Sequence, residues 1–96
     1  MTIEFHTPKT KVKEWILTFL MKRMMFLYER DSSISKAEIY LRELEGGQKS
    51  CAIDLTVHGH SHFFHRKCSS FEEAALHVLY QLEEKLRNRQ VPAFRV

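Results

Sequence analysis

The chain has 96 residues, 44% apolar and 28% charged, with a formal charge of +3. A chain this short supports one hydrophobic core, so one domain covering residues 1–96 is expected. The longest apolar run, Trp15 to Tyr28, carries Lys22 and Arg23 in its middle and is too short to span a bilayer. The opening "MTIEFHTPKTKVKE" lacks the order of a secretory signal, so the sequence predicts a cytoplasmic protein with reduced Cys51 and Cys68.

"TIEF", Thr2 to Phe5, is a short β-type run closed by His6-Thr7-Pro8. Pro8 suits a first helical turn, and either Thr7 or Thr10 is suited to cap it. Val12, Trp15, Ile16, Phe19, Leu20, Arg23 and Leu27 then follow helical spacing and predict one buried face. "DSS", Asp31 to Ser33, ends this helix.

"KAEIYLREL" alternates, with Ala37, Ile39 and Leu41 on one side and Lys36, Glu38, Tyr40 and Arg42 on the other. "EGGQ", Glu45 to Gln48, is a turn. "SCAIDLTV" alternates again, with Cys51, Ile53, Leu55 and Val57 inward and Ala52, Asp54 and Thr56 outward. After a turn at Gly59, "SHFFHRKC" returns with His62, Phe64, Arg66 and Cys68 opposed to Phe63, His65 and Lys67. Ser70 to Glu73 forms a capping box. The helix it opens has a core stripe of Phe71, Ala75, Val78, Leu79, Leu82 and Leu86, and Pro92 follows its end. The predicted class is α+β, with order β-α-β-β-β-α, and a four-stranded sheet burying both helices on one face.

Charge is unevenly spread. Lys9 to Arg30 holds six basic residues against two acidic ones, whereas Asp31 to Val57 holds three against five. "VHGHSHFFHRKC", Val57 to Cys68, gathers four histidines and a cysteine. His58, His60 and His62 would share one side of an extended chain, but the turn at Gly59 interrupts that geometry. Cys68 lies about 20 Å beyond His62 along a strand, too far for a shared metal. Cys51 and Cys68 could face each other across the sheet, as core residues rather than ligands. The residues favour a solvated hairpin over an RNA-facing surface, and either over a metal site.

Catalysis finds no support. Gly46-Gly47 is a turn rather than a phosphate loop, and no spacing sets a nucleophile beside a base. The expectation is a protein that is not an enzyme and needs no cofactor.

"AEIYLREL" after the first helix and "SFEEAALHVLYQLEEKLRNR" at the end resemble the short ribosome hibernation-promoting factors, also described as ribosome-associated translation inhibitors. Phe71, Glu72, Glu73, Ala74, Leu82 and Leu86 fall where that family's pattern expects them. The resemblance implies a double-stranded-RNA-binding-like domain of bacterial type. It would sit on the small ribosomal subunit and block translation sterically during dormancy or stress. Lys22, Lys85, Arg87 and Arg89 correspond to the family's basic helix contacts with rRNA. Charge alone adds Lys13, Arg23, Arg66 and Lys67, since lysine and arginine bind phosphate through ion pairing and counterion release.

The chain departs from the family where Leu17, Met21 and Met25 occupy a face that usually carries lysines, and where Leu76 and Tyr80 replace acidic residues. The alternative reading is therefore a protein-interaction or homodimerisation module, with Leu17, Met21, Met25, Leu76 and Tyr80 as its interface.

Overall fold

A computed structural model describes residues 1–8 and 10–90, the last three of these in backbone only. The elements are β1 (Thr2–His6), α1 (Glu14–Arg30), β2 (Ile34–Glu43), a 3-10 turn (Glu45–Gly47), β3 (Lys49–Val57), β4 (His60–Cys68) and α2 (Phe71–Gln90). The strands form one sheet in the order β1-β2-β3-β4. β1 pairs in parallel with β2, through the crossover that a parallel pair requires, and the other two pairs are antiparallel. This is the expected α+β order. Among the described residues no helix is long and apolar enough to cross a membrane.

Alternation dictates the inner sheet face. Ala37, Ile39 and Leu41 of β2 and Cys51, Ile53, Leu55 and Val57 of β3 are all buried. β2 starts two residues before the expected Lys36, because a register shift between Ile34 and Lys36 lets Ile34 also turn inward. α2 buries the predicted stripe from Phe71 to Leu82 together with Ala74, and Leu86 packs half-buried against the same cluster. Complete burial of one such leucine or isoleucine side chain contributes about 2 kcal/mol.

α1 differs from its expected orientation. Its buried residues are Ile16, Leu20, Met24 and Leu27, with Leu17 and Phe19 packed partly against them. Trp15, expected in the core, is 52% exposed, and Arg23 turns toward α2. The helix is rotated so that Met24 takes a core place. That rotation draws Leu17 out of the proposed interface stripe and into half-burial.

The threonines expected to cap α1 do not do so. The helix begins at Glu14, with Lys13 at its N-cap and no side-chain cap. Thr10 is used otherwise, donating its hydroxyl hydrogen to Pro8 O at 3.1 Å and accepting from Glu43 N at 3.4 Å. The loop before α1 is thereby tied to the end of β2. Ser70 does cap α2, its Oγ accepting from Glu73 N at 3.2 Å, while the Glu73 carboxylate accepts from Ser69 Oγ. Pro92 lies outside the described residues.

The β3–β4 hairpin turns on His58 and Gly59, with φ of 52° and 78°. These are the paired positive angles of a type I′ turn, whose twist matches the flanking strands. The register sets Cys51 opposite Arg66 and Cys68 opposite Lys49, so the two thiols do not face each other.

Candidate nucleic-acid interface

The candidate basic residues divide among five places. Lys22 is exposed on α1 and makes no ion pair among the described residues. Arg23 is half-buried and forms an ion pair and hydrogen bond with Glu83 of α2. Its guanidinium carbon also lies 5.7 Å from the centroid of the Phe26 ring, which Arg30 approaches at the same distance. Arg23, Arg30 and Arg87 line one groove between the C-terminal halves of the helices, with Glu83 as an acidic counterpart. Lys85, two residues before Arg87, stands about 200° round the helix and belongs to a different face.

Arg66 lies on the helix side of β4, with its Nη2 and His77 Nδ1 of α2 3.4 Å apart. Lys67 is exposed on the opposite face of the sheet, so these neighbours serve different surfaces. The Arg89 side chain lies outside the described residues. Sequence reasoning missed Arg30 and Phe26 as members of the groove. Their signal was the spacing Arg23, Phe26, Arg30, which puts all three on one flank of a helix.

Apolar exposure is concentrated on the helices. Met21, Met25, Phe26 and Tyr28 of α1 and Leu76 and Tyr80 of α2 are exposed, the last at 67%. Met21, Met25 and Tyr28 follow one another at helical spacing on the flank of α1 opposite Arg23.

The sheet face away from the helices carries its side chains in rows set by register. One row reads Arg42, Ser50, Lys67; the next reads His6, Tyr40, Ala52, His65; a third reads Glu4, Glu38, Asp54, Phe63. His6 stacks on Tyr40 with ring centroids 4.7 Å apart and planes 14° from parallel. A 2.8 Å hydrogen bond joins Ser50 Oγ and His65 Nε2. The Phe63 and His65 rings stand nearly parallel at 6.4 Å, and Phe63 is 63% exposed. Between these groups is an open hollow of about 580 Å³, floored by Ala52. Ala52 and Ser50, on the outward side of β3, are nevertheless buried beneath their larger neighbours.

Glu4, His6 and Glu38 bring their donor atoms within 4.8 Å of one another, but the Lys36 ammonium lies 3.8 Å from Glu4 and 3.5 Å from Glu38. Burial tends to raise the Glu38 carboxyl. The Lys36 charge and hydrogen bonds from Tyr40, His6 and Lys36 outweigh it and hold the group below its ordinary value. Burial, with the neighbouring Glu38 charge, raises the Tyr40 hydroxyl.

No protein-family model matches the chain, and no curated protein sequence matches it. Solved structures do. A ribosomal subunit interface protein from Coxiella burnetii superposes with a TM-score of 0.80 at 12% identity, covering 95% of this chain and 99% of that one. The N-terminal domain of Thermus thermophilus Protein Y gives 0.76 at 16% identity, covering 92% and 98%. These neighbours match the resemblance seen in the sequence, and at these identities what they share with this chain is its fold.

Proposed function

We propose that this chain is a bacterial ribosome hibernation factor that binds the small subunit and inhibits translation by occupying space there. The observation that carries this reading is the fold likeness, over nearly the whole of both chains, to a protein described as a ribosomal subunit interface protein. The second structural neighbour and the sequence resemblance point the same way. The function is steric and non-catalytic, exercised in the cytoplasm, and calls for no cofactor. Lys22, Lys85 and Arg87 are exposed on the helices and suit contacts to rRNA phosphates, with Arg30 added from the groove. Arg66 extends the candidate set on the helix side of β4, and Arg89 remains a candidate from the sequence resemblance. Arg23 contributes less, because Glu83 already neutralises it.

The test is co-sedimentation with 30S subunits and 70S ribosomes at low and high salt. Saturable binding to 30S subunits should weaken with salt, and each alanine substitution at Lys22, Lys85 or Arg87 should lower the salt slope by about 1. Binding indifferent to salt and to all three substitutions would refute the helix surface.

The exposed Met21, Met25, Leu76 and Tyr80 favour a second reading, a homodimer or protein-docking module on the same scaffold. Met21→Glu would then abolish a dimer measured by sedimentation equilibrium and leave ribosome binding largely intact.

A further inference from the structure

The His6–Tyr40 stack runs across the sheet at the spacing of its strands, and the next place in that row is vacant of any ring because β3 supplies only Ala52. His65 closes the row on β4. β2 and β4 are about 10 Å apart, two strand spacings. A planar ring in contact with a ring on either side needs about 7 Å between them. The span between Tyr40 and His65 therefore admits one nucleobase with space to spare, and the hollow's volume of about 580 Å³ leaves room for the attached sugar.

Charge around the hollow is ordered along the strands. On one side, about 7 Å away, Arg42 and Lys67 are exposed and make no ion pair among the described residues. A phosphate joined to the base through ribose would lie there. On the other side stands Asp54, one of whose carboxylate oxygens accepts from Ser61 Oγ. The remaining oxygen has no hydrogen-bond partner among the described residues. A carboxylate at that edge accepts from an exocyclic amino group, which adenine, guanine and cytosine carry and uracil does not.

We propose that the open sheet face binds one unpaired, amino-bearing nucleotide of single-stranded RNA, its base over Ala52 between Tyr40 and His65 and its phosphate against Arg42 and Lys67. Naming the strand as RNA rests on the ribosomal reading, whereas the nucleotide chemistry rests on the sheet alone. The site is on the opposite side of the sheet from the helix surface. One protein could hold helical rRNA with its helices and an unpaired nucleotide with its sheet.

Fluorescence anisotropy with end-labelled RNA hexamers tests this without ribosomes. Oligoadenylate should bind at low salt and oligouridylate at least about fivefold more weakly, with an RNA duplex failing to compete. Tyr40→Ala should weaken oligoadenylate about tenfold, and Arg42→Ala with Lys67→Ala should lower the salt slope by about 2. Phe63→Ala is a second probe of the platform, because a side chain that is 63% exposed can be removed without touching the core. Melting curves would verify that each variant is folded. Lys22→Ala and Lys85→Ala should leave hexamer binding unchanged while weakening ribosome binding. The proposal is overturned if oligoadenylate does not bind, if both Tyr40→Ala and Phe63→Ala bind it as the parent does, or if the helix substitutions abolish it. Loss of 30S binding in the helix variants with no hexamer binding by the parent would leave the ribosomal reading intact and remove only this site.

Discussion

Lys22 and Arg23 are adjacent on α1, yet replacing each by alanine should change different properties of the protein. Lys22 is exposed and has no ion-pair partner among the described residues, so Lys22→Ala should alter stability by less than about 0.5 kcal/mol. Arg23 reaches Glu83 on α2 and also covers Phe26. The two charged side chains are 38% and 24% exposed, so solvent screens the pair appreciably. The bridge contributes about 1 kcal/mol on that footing, and the contact with the Phe26 ring adds about 0.5 kcal/mol. For a chain of this length, a loss of about 1.5 kcal/mol lowers the melting temperature by about 7 °C. Thermal unfolding followed by circular dichroism would measure it. A double-mutant cycle with Glu83→Gln should return a coupling of about 1 kcal/mol. In ribosome binding the order should invert, with Lys22→Ala the more damaging change. If Arg23→Ala melts with the parent protein and the coupling is below about 0.3 kcal/mol, the bridge does not clasp the helices and Arg23 is as uncommitted as Lys22.

Two further outcomes follow from local geometry. His58 has a φ of 52°, a conformation that asparagine tolerates and histidine resists, so His58→Asn should stabilise the protein by about 0.5 kcal/mol. A rise in the urea midpoint with an unchanged slope would register it, and no rise would mean the turn is unstrained. Burial pushes the Cys51 thiol up to about 12, whereas Cys68 is half-buried. Ellman's reagent should therefore label Cys68 first and reach Cys51 only as fast as the fold opens. Equal rates in native buffer would contradict the burial of Cys51.

Elements with strict period were legible in the sequence. The alternation in "SCAIDLTV" fixes its inner face because one slip would turn Asp54 and Thr56 into the core. The second helix was legible for the same reason, since its stripe has one apolar solution and a serine that caps it. The first helix offers two, because apolar residues continue round it from Trp15 to Tyr28. Which arc is buried is set by packing with residues far away in the chain, where Ile16, Leu20, Met24 and Leu27 join the core and Arg23 meets Glu83 of α2, sixty residues on. Thr10 does not cap the first helix because that helix begins only at Glu14, with Lys13 at its N-cap, which leaves the Thr10 hydroxyl to accept from Glu43 N instead. The sheet hollow escaped notice altogether. Its four strands contribute one or two lining residues each, and only register brings His6, Tyr40, Ala52 and His65 into one row. The helix-borne basic residues were legible individually, but not that Lys85 and Arg87 part company or that Arg66 and Lys67 lie on opposite faces.

The parallel β1 strand gives this architecture an order of assembly. β2, β3 and β4 meet through tight hairpins and incur little loop-closure entropy, whereas β1 finds β2 only across a whole helix of intervening chain. The three-stranded meander can thus form early, and β1 completes the sheet late. His6 sits on β1, so the His6–Tyr40 stack exists only once that last strand has docked. A chain whose first strand has peeled away would retain most of its core while losing one wall of the hollow, which makes docking of β1 a natural point at which folding and ligand binding by the sheet become the same event.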